Sequence, residues 1–178
     1  MTQEDKRFYH KEYCHPKFLK EKERKRIENE QWDTLYQYII KLHDLVVLPT
    51  GNITRLQDLR AGFTMKEGKK VRQWKNGPDF ALMLEAYKLA EDSIKWCIVN
   101  KLNGSKDAKA INYGISIMIN KLNEANANRK KKARNKVETE IVKEGARETN
   151  RITNMINQVQ NENVNNLSEE IDVTTLFD

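Results

Sequence analysis

The strongest constraint on this chain is a run of apolar residues at helical spacing with one clean interruption. Phe80, Met83, Leu84, Tyr87, Ala90, Ile94, Cys97, Ile98 and Leu102 recur at i, i+3, i+4, i+7, the period that lays a stripe along one side of an α-helix. Pro78-Asp79 suits the start of that helix, because proline is tolerated in the first turn and a carboxylate complements the positive helix end. Asn103-Gly104 stops it. Ser105 and Asp107 then open a second stripe of Ala108, Ile111, Ile115, Met118, Ile119 and Leu122. Two amphipathic helices joined by so short a turn become antiparallel neighbours, so 79–102 and 106–125 read as an α-hairpin. Three prolines and seven glycines in 178 residues leave too few turns for a many-stranded sandwich or barrel. The expected fold is all-α, a helical bundle centred on this hairpin.

The flanking segments divide by composition. Residues 1–30 are densely charged and read as an N-terminal helical arm with a boundary near Pro16. Trp32, Leu35, Tyr36, Ile39, Leu42 and Val46 keep helical spacing and join the hairpin in a core spanning 31–126, with Pro49-Thr50-Gly51-Asn52 ending that helix. A short helix with Ile53, Leu56, Leu59 and Phe63 on one side follows, and MKEGKKVRQWKNGP reads as a basic loop. From 127 to 160 a basic helix is expected. Its positions Val137, Ile141, Glu144, Glu148, Ile152, Met155 and Val159 fall near a 3.5-residue repeat with polar lapses, as in a weak coiled coil or a helix packed only in an assembly. Residues 161–178 read as a flexible acidic tail that closes on an apolar peptide.

Charge is unevenly spread. The net is +6, yet residues 129–151 carry nine basic and four acidic side chains, while 152–178 carry five acids and no Lys or Arg. A basic block followed by an acidic tail is typical of a nucleic-acid binder or an autoinhibitory arm. The sequence has no apolar run near the ~20 residues of a membrane span, and its first residues lack the apolar stretch of a secretory signal. Cys14 and Cys97 are too few for a disulfide framework, so a reducing, cytoplasmic setting is expected.

Catalytic and metal chemistry find little support. His10, Cys14 and His15 lie close in sequence, but no CxxC pair accompanies them and solvated side chains on a charged segment explain them. No glycine elbow surrounds a serine, Cys97 lies on the apolar stripe, and the GKK at 68–70 lacks the frame of a phosphate-cradling loop. Carboxylates are not paired at catalytic spacing. The expectation is a protein that is not an enzyme, with no cofactor, no metal and no catalytic residue.

Binding residues are better marked. Lys69, Lys70, Arg72 and Lys75, with Trp74 among them, combine phosphate-neutralising cations with a ring that can stack on a base. The alternative for Trp74 is packing into the bundle. Arg129, Lys130, Lys131, Lys132, Arg134 and Lys136 cover nearly every side of one helix, which suits phosphate binding without base specificity or, alternatively, a solvated linker helix. In the terminal VTTLFD, Val173, Leu176 and Phe177 form a peptide that can enter a partner's apolar pocket or fold back on its own subunit. Its Leu-Phe pair is similar to the C-terminal peptides by which replication and late-transcription factors bind sliding clamps.

The segment FALMLEAYKLAEDSIKWCIVNKLNGSKDAKAINYGISIMINKLNEANANRKKK, residues 80–132, resembles the central α-hairpin of the small terminase subunit of tailed bacteriophages. In that family a DNA-binding region precedes a hairpin that assembles a ring, and a C-terminal segment contacts the motor subunit. The resemblance implies a homo-oligomer that binds nucleic acid, DNA above all, and docks a protein partner through its tail, in the host cytoplasm or the virion. No N-terminal helix-turn-helix accompanies the hairpin. Two other readings stay open: a virion structural or scaffolding protein, and a replication or late-transcription accessory factor docked on a clamp.

Overall fold

A computed structural model of the chain describes residues 1–4 and 7–169. Among the described residues four helices dominate, with one short β-hairpin ahead of the first helix and another between the second and third. The all-α expectation holds for the architecture, and the strands are its local exceptions.

The first exception lies in the N-terminal arm. Residues 2–4 and 7–9 are not helical: β1 (Thr2–Glu4) pairs antiparallel with β2 (Arg7–Tyr9), Thr2 opposite Tyr9 and Gln3 opposite Phe8. Aromatic and β-branched residues favour a pleated ribbon, and Tyr9 stacks on Phe18 at 4.5 Å between ring centroids. Pro16 lies in the first turn of α1 (Cys14–His43), where its missing N–H costs no hydrogen bond. The helix runs unbroken across residue 30. Its first half is solvated and laced with ion pairs such as Arg24–Glu21 and Arg26–Glu23. Its second half buries Leu35, Ile39 and His43. Asp44 closes it in the left-handed region at φ 50°. Val46, expected on the core stripe, lies beyond this stop and is exposed.

Leu48 anchors the connection to α2 (Thr50–Arg60), which buries Asn52, Leu56 and Leu59. The second exception follows. The segment expected as a basic loop forms β3 (Phe63–Lys66) and β4 (Lys69–Arg72), with Phe63 opposite Arg72 and Met65 opposite Lys70. Glu67 and Gly68 turn the chain with φ of 51° and 75°. A two-residue turn with both φ positive matches the natural twist of an antiparallel pair.

α3 (Phe80–Asn100) starts where Asp79 Oδ1 accepts the Leu82 N–H at 2.6 Å, a side-chain cap of an otherwise orphaned donor. Asn103 and Gly104, both at positive φ, break the chain, and Asp107 Oδ1 accepts the Ala110 N–H at the head of α4 (Ala108–Glu169). Both predicted helices are thus present, with the turn between them as expected. Their apolar stripes serve the subunit's own core. Phe80, Met83, Ala86, Tyr87, Ala90, Ile94 and Cys97 of α3, and Ala110, Ile111, Ile115, Met118, Leu122 and Ala125 of α4, are buried together with Leu35, Ile39, Leu56 and Leu59. Burying a side chain of this size stabilises the fold by about 1.5–3 kcal/mol, and residues of α1 and α2 help to cover these stripes.

The chain divides into two units, residues 1–128 and 129–178. In the second, α4 continues to Glu169, so residues 161–169 of the tail expected to be flexible are helical. No proline follows Pro78 to interrupt it.

Candidate nucleic-acid interface

The end of α2 and the hairpin after it are locked together through backbone. Gly62 takes φ 94°, its carbonyl accepts the N–H of Gln73 and of Trp74, and its own N–H donates to Leu59 O. A Cβ on Gly62 would lie 2.3 Å from the Trp74 carbonyl oxygen, and one on Gly77 would lie 1.8 Å from the Leu59 carbonyl oxygen. Neither position admits a side chain, and this contact seats β4 and the 73–79 loop against α2.

Pleating splits the predicted cations. Residues opposite each other across an antiparallel pair share a face, so Lys70 and Arg72 lie with Phe63 and Met65, while Lys69 lies with Lys66 on the other face. Lys70 Nζ is 4.6 Å from the centre of the Phe63 ring and pairs with Asp58 at 2.5 Å. The Arg72 guanidinium lies 5.5 Å from the same ring and donates from Nη2 to Lys75 O at 2.9 Å and from Nε to Trp74 O at 3.3 Å. Lys70 therefore borders an apolar cavity of about 350 Å³ with Asp58, Phe63 and Met65. Arg72 turns instead toward a polar cleft of about 660 Å³.

That cleft assembles four cations from three separate stretches of chain: Arg24 of α1, Arg60 of α2, and Arg72 and Lys75 of the hairpin and its loop. Glu28 links the first two, at 2.8 Å to Arg60 Nε and 3.7 Å to Arg24 Nη1. With Asp79 it is one of two carboxylates in the lining, leaving a formal charge of +2. Arg24 is held as well by Glu21, to which its Nε and Nη2 donate at 2.9 and 2.6 Å. Arg60 meets Glu28 through Nε and keeps Nη donors for a second anion, its planar fork matching phosphate oxygens. Arg24 lies in the densely charged N-terminal arm and Arg60 on the short helix after Pro49, and neither carries a local signal that marks it for the site. No local pattern ties them to residues twelve and more positions away.

Trp74 is half-buried and packs against the core, lining a shallow groove with Pro78, Leu82 and Leu122. Its ring takes the packing alternative named above. In the second unit, Lys130, Lys131, Lys132, Arg134 and Lys136 are exposed and Arg129 is half-exposed, on a continuous helix that distributes them around its axis. The docking peptide Val173, Leu176 and Phe177 lies outside the described residues.

Three polar groups of the core have no hydrogen-bond partner within it: both nitrogens of His43, Asn52 Oδ1 and the Tyr87 hydroxyl. Burial pushes the His43 pKa down, which favours the neutral ring, and raises that of Tyr87. Arg55 is half-buried, and desolvation lowers its pKa, but its guanidinium donates to Asn112 O, Asn112 Oδ1 and Ser116 Oγ, tying α2 to α4. These groups are structural.

Among the described residues no helix is long and apolar enough to cross a membrane. No curated protein and no solved structure gives a significant match to the chain. A family model described as SPbeta prophage protein YorH matches residues 1–174. Spanning nearly the whole sequence, from the N-terminal ribbon through both basic segments, that match places the chain in the SPbeta prophage YorH family, as a phage protein.

Proposed function

We propose that this phage protein is a non-enzymatic, oligomeric nucleic-acid-binding protein, a DNA-packaging subunit of the small-terminase type. The observation that carries the reading is the cleft of Arg24, Arg60, Arg72 and Lys75, four cations converging from distant segments on a surface with only two carboxylates. Duplex phosphates are the polyanion such a cleft fits: guanidinium forks grip phosphate oxygens, and each neutralised phosphate releases condensed counterions. The cations of 129–136 add sequence-independent contacts of the same kind. The cleft contributes position and affinity, and nothing in it reads a base edge.

The test is the salt dependence of binding to a labelled duplex, followed by fluorescence anisotropy between about 50 and 200 mM salt, where the log–log slope is about −0.9 per phosphate contacted. Lys75→Gln is expected to make that slope shallower by about one contact. Replacing Lys130, Lys131 and Lys132 together by glutamine removes up to about three. Binding that ignores salt, or no binding at the lowest salt, overturns the proposal. The exposed apolar residues of α4 beyond residue 136 favour a second reading, a virion structural or scaffolding protein, which predicts incorporation into particles that form without nucleic acid.

A further inference from the structure

In the second unit α4 carries an apolar stripe that none of the described residues of that unit covers. Val137, Ile141, Ile152, Met155, Ile156 and Val159 are each between 51% and 66% exposed, although on a helix they fall within one broad band of the surface. Apolar surface of this extent marks an interaction site. The sequence of the band is informative about its occupant. Positions 137, 141, 144, 148, 152, 155 and 159 follow one another at steps of four, three, four, four, three and four. The spacing reads the same in both directions about Glu148, so two copies running in opposite directions present matching layers.

We infer that this face binds a second copy of the same chain, antiparallel and centred on Glu148. In that register Val137 meets Val159 of the second copy and Ile141 meets its Met155, closing an apolar layer at each end. Glu144 comes beside Arg151 of the second copy, and at the centre the two Glu148 carboxylates face each other, each beside Arg147 of the opposite copy. Charge decides the direction. A parallel pair would stack Glu144 on Glu144 as well as Glu148 on Glu148 and set the six cations of 129–136 against the same six, whereas the antiparallel pair keeps only the central Glu148 pair in like-charge register. Like charges in register destabilise a helix pair. The antiparallel pair places that block against residues 160–167, which contain no Lys or Arg and one acid, Glu162. Opposed helix dipoles add to the preference. The inference deepens the oligomeric part of the function proposed above and does not depend on nucleic-acid binding.

The experiment uses the full chain, freed of nucleic acid, in light scattering at about 50 µM and moderate salt, chosen to keep charge effects partly screened. The expected mass is at least twice the monomer's 20.9 kDa. The double variant Ile141→Asp with Met155→Asp is expected to scatter as a monomer. Its tryptophan fluorescence should not change, because Trp32, Trp74 and Trp96 all lie in the first unit. Direction is read by cysteine cross-linking in a Cys14→Ser background, Cys97 being buried. Glu148→Cys is expected to form a disulfide-linked dimer. Ile141→Cys is not, since an antiparallel pair separates its two copies by fourteen residues, about 21 Å of helix, against the ~7 Å limit for Cα atoms of a disulfide. Mixing Ile141→Cys with Met155→Cys should restore the cross-link. A monomeric wild type, self-linking of Ile141→Cys, or failure of Glu148→Cys to link overturns the inference. Duplex binding by the monomeric double variant is scored separately, so loss of the dimer and loss of nucleic-acid binding are distinguishable.

Discussion

α4 runs through two different environments, and the contrast separates amphipathic pattern from packing. Between residues 108 and 128 its apolar side chains recur every three or four positions, and six of them are buried against α1, α2 and α3. Between 137 and 159 apolar side chains recur at much the same period, and every one is exposed. The pattern in both stretches specifies a helix with a face, since period depends only on backbone geometry. Whether the face is covered depends on partners elsewhere in the chain. The first stretch has them in α1 and α3, and the second has none among the described residues of its own unit.

The largest expected effect tests this contrast by making the same kind of cut on both sides of it. Met118→Ala leaves a cavity in a fully buried site and is expected to cost about 2–5 kcal/mol, read as a lower urea midpoint of the cooperative transition at unchanged slope. Ile141→Ala removes as much apolar surface from an exposed site and should leave that transition within about 0.5 kcal/mol, while weakening self-association. Equal losses at the two sites would mean that the second stretch is packed within the subunit after all.

A middle-sized effect concerns the ring that α1 buries against α4. His43 is neutral in the fold because burial lowers its pKa, so the unfolded chain binds a proton more readily. Its contribution is complete above the ordinary histidine pKa of about 6.5 and is lost as pH falls below that value. Thermal unfolding followed from pH 7.5 to pH 5 should show a falling midpoint, and His43→Leu should flatten the profile in that window. Carboxylates such as Glu21, Glu23 and Asp44, whose pKa values are lowered by hydrogen bonds to Arg24, Arg26 and Lys106, act only in a more acidic range. A variant that keeps the full slope between pH 7.5 and 5 would remove His43 from the explanation.

The smallest effect uses the two glycines of the same helix. At Gly145 an added Cβ meets nothing within 4 Å, so Gly145→Ala should raise helicity and stabilise its segment by about 0.5–1 kcal/mol. At Gly114 the added methyl would press on His43, 3.1 Å from Nε2 and 3.2 Å from Cε1. The same substitution there is expected to lower the thermal midpoint, the crowded ring outweighing the gain in helix propensity. Two substitutions of equal sign would show that the buried half yields as easily as the exposed half.

The helical elements were legible in the sequence because local chemistry sets them. Asp79 and Asp107 cap helices, Asn103-Gly104 breaks one, and the stripe from Phe80 to Leu122 supplies most of the buried face seen in the fold, Ala108 being exposed and Leu84, Ile98, Leu102 and Ile119 half-buried. The strands were not. MKEGKKV offers no Asn-Gly or Asp-Gly turn signal, and its pairing is held by Gly62 and Gly77 backing onto α2, contacts between residues far apart in sequence. The candidate site was half legible. Arg72 and Lys75 were visible as a cluster of cations, but a strand sends neighbouring residues to opposite faces, so Lys69 and Arg72 part company. Arg24 and Arg60 joined only through the packing of α1, α2 and the hairpin.

The amino-acid sequence by itself determined the periodicities, the caps and the excess positive charge, properties that depend on neighbours within a few residues. Tertiary structure decided which apolar stripe became core and which stayed bare, and which cations converged on one cleft. Those outcomes depend on contacts between distant segments, whose geometry no local pattern encodes.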